Sequence, residues 1–445
     1  MQEPAPVTPL PVPVADLERS TSLDTLRGVA VLGIFAMNIV AYALPSGAYT
    51  TTHNAAINQY AGDFTGFNAF AWWINHLVFD QKMMSIFSML FGAGVVLQDQ
   101  RLAARQGTQH ASFAGTYYRR LGILFLLGMV HAYLIWFGDI LVAYSLCGLL
   151  LYPMRKVRPR RLIAIGLVIF FVAVVINVGM GLMIGMIQRG GEEARALLDA
   201  GQTITESQKG MLEGWEQARP NMVPSAEKVL AEVTARRGDW IGNFKFNAGL
   251  AIFFQTFLFA IWTLWRALGL MLVGMALAKL GFFAARWQAR TYATLAAIGY
   301  VIGLPVIALG ATQLHARVGD VGFAFGLGAQ YNYVGSLLVA FAHASVVMLI
   351  CKSGVLRDLT ARLAAVGRMA FTNYLMQSVL CTLIFFGFGL GYFAHFERAG
   401  AYLFVLGVWG IELLWSPLWL ARFRFGPAEW LWRSLTYLRL QPLRR

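Results

Sequence analysis

Residues 22–38 read SLDTLRGVAVLGIFAMN, and they open the first long apolar run of the chain. The run begins with an acid and a base, Asp24 and Arg27, and carries one amide, Asn38, farther in. On a helix Arg27 and Asn38 are separated by close to three turns, so they face the same way about 16 Å apart. Polar groups are costly inside a membrane. The stretch therefore predicts a membrane span in which Asn38 is either functional or a buried interhelical hydrogen-bonding group.

The composition of the 445 residues extends this interpretation to the whole chain. Hydrophobic residues make up 58% and charged residues 13%, whereas about 25% of residues are charged in a typical soluble domain. Apolar runs of about 20 residues recur, so we predict an all-α, polytopic helical membrane protein with about ten transmembrane helices. The net charge of +14 does not indicate nucleic-acid binding, because the basic residues cluster in short segments between apolar runs.

The distribution of Lys and Arg predicts that both termini are cytoplasmic. Five predicted inner segments hold 22 of the 36 Lys and Arg residues, and three short outer segments hold two. No basic region precedes an apolar core at the N-terminus, so we expect no cleaved signal peptide. The predicted organisation is a disordered N-terminal tail (1–20), an N-terminal membrane region with spans 1–5 (21–187), an external amphipathic segment (188–246) and a C-terminal membrane region with spans 6–10 (247–440).

A histidine and an aspartate flank the turn between the third and fourth predicted spans. His131 lies near the end of span 3 and Asp139 begins span 4, at about the height of Asn38. A carboxylate that fixes the imidazole tautomer would leave the other ring nitrogen free to accept a proton. The alternative is a structural pair that ties two spans, with Asp139 as the N-cap of span 4.

Five further polar residues are candidates, each with a structural alternative. His53 lies in the first outer loop, where it is either catalytic or merely solvated, and Lys82 is either a binding group or an interfacial anchor. Arg266 lies far from either end of its apolar run, so it needs a carboxylate or phosphate partner. Asn373 and Gln377 share a helix face and either bind substrate or join two helices. The three cysteines have no metal-site spacing, and no motif indicates a metal or a tightly bound cofactor.

Several stretches together resemble the bacterial YeiB family of polytopic membrane proteins. They are SLDTLRGVAVLGIFAMN (22–38), LFGAG (90–94), GMVHAYLIWFGDIL (128–141), RALGLMLVGMAL (266–277), GRMAFTNYLMQS (367–378) and SPLWLARFRFGPAEWLWRSLTY (416–437). The resemblance covers nearly the whole chain. It implies a multi-pass protein of the bacterial inner membrane whose C-terminal part, here about 250–440, is a domain of unknown function.

The LDxLRG opening with a following Asn is also similar to the start of transmembrane acyltransferases. These include heparan-α-glucosaminide N-acetyltransferase and the acyltransferase-three group. The resemblance implies transfer of an acyl group from cytoplasmic acyl-CoA to an acceptor across the membrane, with a histidine on the far side. Asp24, Arg27 and Asn38 match the pattern. His53 is the nearest histidine after Asn38, although at longer spacing, and His131 is the competing base.

We therefore expect an integral membrane acyltransferase that uses acyl-CoA as a co-substrate. The alternatives are a transporter or flippase for a polar or anionic solute, and a structural or sensory protein without turnover. The expected partners are membrane lipid and either acyl-CoA or a small-molecule substrate, and no nucleic acid is expected to bind. A homodimer is the assembly considered. The expected catalytic residues are His131, His53, Asp139 and Asn38, and the expected substrate- or donor-binding residues are Asp24, Arg27, Lys82, Arg266, Asn373 and Gln377.

Overall fold

The structure, a computed structural model, describes residues 21–106 and 111–445. The tail predicted for residues 1–20 lies outside the described residues. The helices are α1 (Thr21–Ala43), α2 (Ala55–Ala61), α3 (Gly66–Ile74), α4 (Lys82–Gln106), α5 (Ala111–Val130), α6 (Leu141–Met154), α7 (Pro159–Asp199), α8 (Glu206–Met222), α9 (Ala226–Arg237), α10 (Trp240–Phe253), α11 (Leu264–Lys279), α12 (Ala289–Ala316), α13 (Val321–Phe323), α14 (Ala329–Ser353), α15 (Arg357–Arg368), α16 (Ala370–Phe385), α17 (Arg398–Arg422) and α18 (Pro427–Tyr437).

The prediction of an all-α polytopic membrane protein is confirmed. Across the two described ranges the chain forms helices and no strand, apart from one isolated bridge between Phe423 and Arg444. Seven of the helices described are long and apolar enough to cross a membrane: Thr21–Ala43, Ala114–Ile135, Pro159–Asp199, Trp240–Lys279, Ala289–Ala316, Val321–Ser353 and Arg398–Arg422. The shorter helices α6 and α16 are also apolar. The count of ten spans and the cytoplasmic termini stay predictions.

Two helices differ from the predicted boundaries. Helix α7 continues to Asp199, past the expected span end at 187, because residues 192–198 (EEARALL) are good helix formers that extend it beyond the apolar run. The helical stretch that opens the C-terminal membrane region begins at Trp240, before the expected boundary at 247, and is continuous to Lys279. Its middle, Phe254–Thr263, is π-helical.

Helix α1 is the centre of the bundle. In its most apolar window 78% of the residues are buried, compared with 28% in α5, α7, α12 and α17. The helix packs closely against α15, where a methyl group at Gly28 would overlap the carbonyl of Leu363 and one at Gly367 would overlap the carbonyl of Asp24. Asp24 therefore lies in the protein interior, whereas Arg27 and Asn38 are partly exposed.

The bundle has two ends. We call the end at which α1 begins the start face and the end at which α1 finishes the end face. At the start face, Ser22 Oγ donates to the Phe283 carbonyl and Thr25 Oγ1 to the Thr360 carbonyl. At the end face, the segment after α1 meets α9, where Ser46 contacts Glu232. Helices α8 and α9 lie in the segment predicted to be external, between the long helices α7 and α10.

Candidate functional site

The most distinctive polar cluster lies where α1, α6 and α16 meet the end of α5. A π-helical turn, His131–Ile135, ends α5 and begins with His131. Such turns are frequent at functional sites, because the extra residue per turn displaces a side chain from its usual register. The His131 side chain is 1% exposed, and its Nδ1 lies 2.8 Å from Asp139 Oδ2. The structure thus brings together the two residues that the sequence placed on either side of the turn.

The two oxygens of Asp139 have different partners. Oδ2 faces His131, while Oδ1 accepts the backbone N–H of Val142 at 2.8 Å, in the first turn of α6. The carboxylate therefore caps α6 and orients the imidazole at the same time. Its position is fixed by the helix start, so the histidine ring it contacts is fixed as well.

The other nitrogen of His131 contacts a serine that the sequence analysis did not single out. His131 Nε2 lies 2.9 Å from Ser378 Oγ, and this oxygen lies 2.7 Å from the Tyr42 hydroxyl. Ser378 is fully buried on α16. Asp139, His131, Ser378 and Tyr42 thus form a continuous hydrogen-bonded line across four segments of the bundle.

Asn38 lies one helical turn before Tyr42, on the same side of α1. Between residues 30 and 45, only Asn38 and Ala41 are not buried. These two residues are therefore partly exposed on a helix that is otherwise buried along this stretch. Within the described residues no hydrogen bond is made by the Asn38 side chain, so its amide keeps its hydrogen-bonding capacity.

Two arginines lie near each other toward the start face. Arg27 Nη1 donates to Asp24 Oδ1 at 2.7 Å, and its side chain is 26% exposed. The Arg120 guanidinium stacks on Trp432 at 4.0 Å and lies close enough to Arg27 for their charges to repel. The separation in the chain between Arg27 and Asn38 equals that between Arg120 and His131. In a helix this separation corresponds to about 16 Å. The arginine pair and the polar cluster thus mark two levels of the bundle.

The C-terminal helix α18 holds the first turn of α16 in place. Glu429 Oε1 accepts the backbone N–H groups of Phe371 (2.8 Å) and Thr372 (3.2 Å), and Oε2 accepts the Thr372 hydroxyl at 2.5 Å. Burial raises the pKa of the Glu429 carboxyl above its ordinary value, against these hydrogen bonds. A carboxylate at a helix N-terminus is favourable, so α18 fixes the position of the helix that carries Ser378.

A second buried network surrounds Lys82. Its Nζ donates to Asn332 Oδ1 at 2.7 Å and to the His76 carbonyl at 2.5 Å. Asn332 Nδ2 donates to Asp80 Oδ2 at 2.6 Å, and Asp80 Oδ1 accepts the Tyr49 hydroxyl at 2.6 Å. Lys82 is 0% exposed, so its ammonium group contacts protein groups only, and its role as a binding group or an interfacial anchor stays a prediction.

Arg266 is fully buried, but its partners differ from those expected. It donates to the Tyr333 carbonyl at 3.0 Å, to Ser85 Oγ at 2.7 Å and to Ser336 Oγ at 2.6 Å. In the part of the chain that the structure describes, no carboxylate is hydrogen-bonded to it, so the expected acidic or phosphate partner is replaced by neutral oxygens. Asp80 acts on it electrostatically without contact. One acid thus faces two buried cations, Lys82 and Arg266.

Asn373 and Gln377 join α16 to α17. Gln377 Nε2 donates to Glu412 Oε1 at 3.0 Å and Oε2 at 3.2 Å, and Asn373 donates to Ser416 Oγ at 3.2 Å while accepting the Trp415 indole N–H at 3.1 Å. These contacts match the interhelical alternative. Glu412, which is 0% exposed, was missed, although an acid inside the apolar run GIELLW (410–415) was a visible signal.

His53 lies apart from the cluster around His131. It is exposed and borders a surface cleft of about 550 Å³ together with Asn58, Asp63 and Glu397. Its ring lies 5.1 Å from that of His315. None of its contacts within the described ranges involves His131 or Ser378, so the two histidines that competed for the role of base occupy different sites.

Helix α9 covers the end-face side of the cluster. Glu232 accepts the Ser46 N–H at 3.0 Å and the Ser46 hydroxyl at 2.9 Å, and Arg236 Nη1 donates to Asn247 Oδ1 at 2.7 Å. The Arg236 guanidinium lies 5.4 Å from the ring of Phe137, which packs on Trp136. The helix therefore closes the bundle above the turn that carries Asp139.

The docking of α9 is expected to weaken as the pH rises. Burial raises the pKa of Glu232 above its ordinary value of 4.5, and the charge of Arg236 and the hydrogen bonds of Ser46 only partly oppose this. The Glu232 carboxyl ionises at a lower pH when α9 is undocked than when α9 is docked. The docked state is therefore most stable below pH 4.5, and its stability falls as the pH rises through the raised pKa. Hydrogen exchange of residues 226–237, corrected for intrinsic rates, should show less protection at pH 8 than at pH 5.

Two variants separate this effect from general pH sensitivity. Glu232→Gln should remove the difference in protection, whereas Glu227→Gln, an exposed acid on the same helix, should keep it. A difference of the opposite sign, or the same difference in Glu232→Gln, would contradict the assignment.

Comparison with known proteins finds relatives whose descriptions give no activity. Residues 277–439 match a family model described as "Protein of unknown function (DUF418)". The chain is 33% identical over 426 residues to "Uncharacterized protein YeiB" of Escherichia coli (strain K12), covering 94% of this chain and 97% of the relative. It is 33% identical over 436 residues to "Uncharacterized protein YxaH" of Bacillus subtilis (strain 168), covering 97% of each. It is 24% identical over 435 residues to an uncharacterized 39.9 kDa protein of Bacillus acidopullulyticus.

Proposed function

Since the chain belongs to the YeiB family of bacterial membrane proteins, we propose its function from its own buried site: transfer of an acyl group from acyl-CoA to an acceptor on the other side of the membrane. The observation that carries the proposal is the Asp139–His131 pair. An ionised carboxylate can only accept hydrogen bonds, so a neutral His131 ring that donates to it from Nδ1 has its lone pair on Nε2. A neutral, oriented imidazole of this kind is a general base.

The two levels of the bundle support a path for the donor. The arginines near the start face, Arg27 and Arg120, suit the phosphates of acyl-CoA. From there the thioester arm would extend along α1 to Asn38 and Ala41, about 16 Å farther in, which requires the buried residues between them to separate from their neighbours. In this arrangement the start face is cytoplasmic, and the acceptor reaches the cluster from the end face in the bacterial inner membrane.

Asn38 is assigned to the thioester carbonyl. Its amide N–H would donate to the oxygen as negative charge develops there, while His131 receives the proton lost by the attacking group. The acceptor is a hydroxyl or amine, because these are the groups that a neutral imidazole activates for attack on a thioester. Such a site works in a dry interior, where a positioned donor stabilises charge more than it does in water.

Binding of the donor is the first test. Purified protein in lipid nanodiscs is mixed with acetyl-, octanoyl- and palmitoyl-CoA, and its thermal unfolding is compared with that in free CoA or buffer. A matching acyl-CoA at 100 times its Kd should stabilise the protein by about 2.7 kcal/mol. Release of free CoA thiol is then followed in inverted membrane vesicles. If no acyl-CoA stabilises the protein and no thiol is released above the level of empty vesicles, the proposal is wrong.

Asn38→Ala should lower the rate of thiol release by about 10²–10³-fold, as expected when one donor to a developing oxyanion is removed. Its thermal stabilisation by acyl-CoA should stay near that of the unaltered chain, because the amide acts on the transition state. Asn58→Ala, in the surface cleft beside His53, is the matched control and should keep full activity. Equal activity in the two variants would remove Asn38 from the mechanism.

The network around Lys82 favours transport of an anionic solute as a second candidate function. Lys82 and Arg266 are fully buried and face a single acid, Asp80, an excess of positive charge that an anion would neutralise. Uptake of an anion into proteoliposomes, driven by a proton gradient and without stabilisation by acyl-CoA, would favour this function over acyl transfer.

A further inference from the structure

We propose that Ser378 is a nucleophile that carries the acyl group, so that transfer passes through an acyl-serine ester inside the membrane. This inference rests on the proposed acyl transfer and adds a covalent intermediate to it. The geometry is the line from Asp139 through His131 to Ser378, with contacts of 2.8 Å and 2.9 Å. A carboxylate, an imidazole and a hydroxyl in this order constitute the arrangement by which a serine is activated.

The direction of each hydrogen bond follows from the groups involved. With the His131 ring neutral, Asp139 accepts from Val142 N–H and from His131 Nδ1–H, and His131 Nε2 has the lone pair that accepts. The group that faces it is the Ser378 hydroxyl, whose single proton is therefore given to His131. Tyr42 can then only donate to Ser378 Oγ, at 2.7 Å. One consistent assignment of protons thus leaves the Ser378 hydroxyl ready to be deprotonated.

A purely structural role for Ser378 fits these contacts less well. A serine in a helix commonly donates to the carbonyl four residues earlier, and here that contact, to the Tyr374 carbonyl, is 3.3 Å long. The contacts with His131 and Tyr42 are shorter, so the hydroxyl is oriented away from its own helix. Because Ser378 occupies Nε2, an external acceptor would have to displace it before reaching the base, whereas Ser378 already contacts the base.

A donor without a partner lies next to this line. Trp136 stacks on the Tyr42 ring with centroids 4.1 Å apart, and it is 2% exposed. Over the described residues its indole N–H has no hydrogen-bond acceptor. A buried donor is rarely left unpaired. The Trp136 indole and the Asn38 amide thus supply two N–H donors near Tyr42. In the proposed reaction they donate to the carbonyl oxygen of a bound thioester.

The reaction divides into two balanced steps. In the first, Ser378 Oγ attacks the thioester carbonyl carbon while its proton moves to His131 Nε2, and the C–S bond then breaks. The leaving thiolate takes this proton, so CoA leaves as the thiol and Ser378 holds the acyl group as an ester. In the second, the acceptor hydroxyl or amine gives its proton to His131 and attacks the ester carbonyl. The C–O bond to Ser378 breaks, and the proton returns to Ser378 Oγ.

Mass spectrometry of the protein tests the intermediate directly. The full-length chain in nanodiscs is mixed with an acyl-CoA that it turns over, without acceptor, and is quenched in acid. The peptide containing Ser378 should carry one acyl group, which alkaline hydroxylamine removes. Ser378→Ala should lose this adduct and about 10³-fold or more of the transfer rate. Ser378→Cys should instead carry a thioester that neutral hydroxylamine removes.

Ser345→Ala is the matched control, because Ser345 is a fully buried serine on α14 whose hydroxyl lacks a partner in the described chain. It should keep both the adduct and the activity. Transfer by a folded Ser378→Ala protein at the normal rate would overturn the covalent route and leave direct transfer in place. An acyl group on another residue of the unaltered chain, or none when turnover is rapidly quenched, would also overturn it. Absence of any acyl-CoA binding or thiol release would instead remove the proposed function itself.

Discussion

His131→Ala is expected to lower acyl transfer by about 10³-fold or more while leaving the binding of acyl-CoA nearly intact. The imidazole is the only group that contacts both Asp139 and Ser378 in the described structure, so its removal eliminates the base and separates the carboxylate from the serine. General-base catalysis contributes about 10²–10⁴-fold in enzymes. The activated serine of the covalent route would be lost together with it.

The experiment compares initial rates of thiol release with thermal stabilisation by acyl-CoA in the same nanodiscs. His343→Ala is the matched control, since His343 is another intramembrane histidine held at both ring nitrogens, by Tyr300 at 2.7 Å and by the Val78 carbonyl at 3.0 Å. The control should retain activity. Asp139→Asn should reduce the rate strongly, because an amide at this position can favour the wrong tautomer. Near-normal turnover in His131→Ala would show that the base is elsewhere, with His53 as the next candidate.

Asp80→Asn is expected to destabilise the protein by about 3–5 kcal/mol, the typical effect of removing one partner from a buried ion pair. Asp80 is the only acid in contact with the network around Lys82 within the described residues. Asparagine carries no charge, so Lys82 and Arg266 become two uncompensated buried cations. One carboxylate oxygen, which accepts a hydrogen bond from Asn332 or Tyr49, is replaced by an amide NH2 group that can only donate. Burial of a charge without a counterion is among the most unfavourable changes in a protein interior.

The measurement is thermal unfolding in detergent, followed by loss of the monodisperse peak in size-exclusion chromatography. Asp63→Asn, an exposed acid in the loop before α3, should leave the unfolding temperature unchanged. Adding Lys82→Met to Asp80→Asn should recover part of the loss, because one of the unpaired cations is then absent. If Asp80→Asn unfolds at the temperature of the unaltered chain, the acid does not neutralise these cations.

Local features of the site were accessible from the sequence. His131 and Asp139 flank one short turn, so proximity in the chain implied proximity in space, and the structure brings them together at 2.8 Å. The polar side of α1 followed from helical periodicity alone. The membrane class followed from composition.

Long-range features were not accessible in the same way. Ser378 is 247 residues from His131 in the chain, and no periodicity indicates which helix faces the turn. Arg266 shows a different limit, because charge alone suggested an acidic or phosphate partner. The structure surrounds it with serine hydroxyls and a carbonyl from α4 and α14. The sequence identifies which buried polar side chains need hydrogen-bond or charge partners. Only the packing of distant helices determines which groups those partners are.

The close packing of α1 against α15 has a consequence for biosynthesis. Gly28 meets Leu363, so the first of the described helices has a close neighbour more than 300 residues later in the chain. At about 5–20 residues per second, the ribosome needs roughly 20–70 s to make the intervening segment. During that time Asp24, Arg27 and Asn38 lack the α15–α17 helices that later enclose them. Insertion of α1 therefore has to be stable without its final neighbours, through helices already made, lipid headgroups or an insertase that holds it.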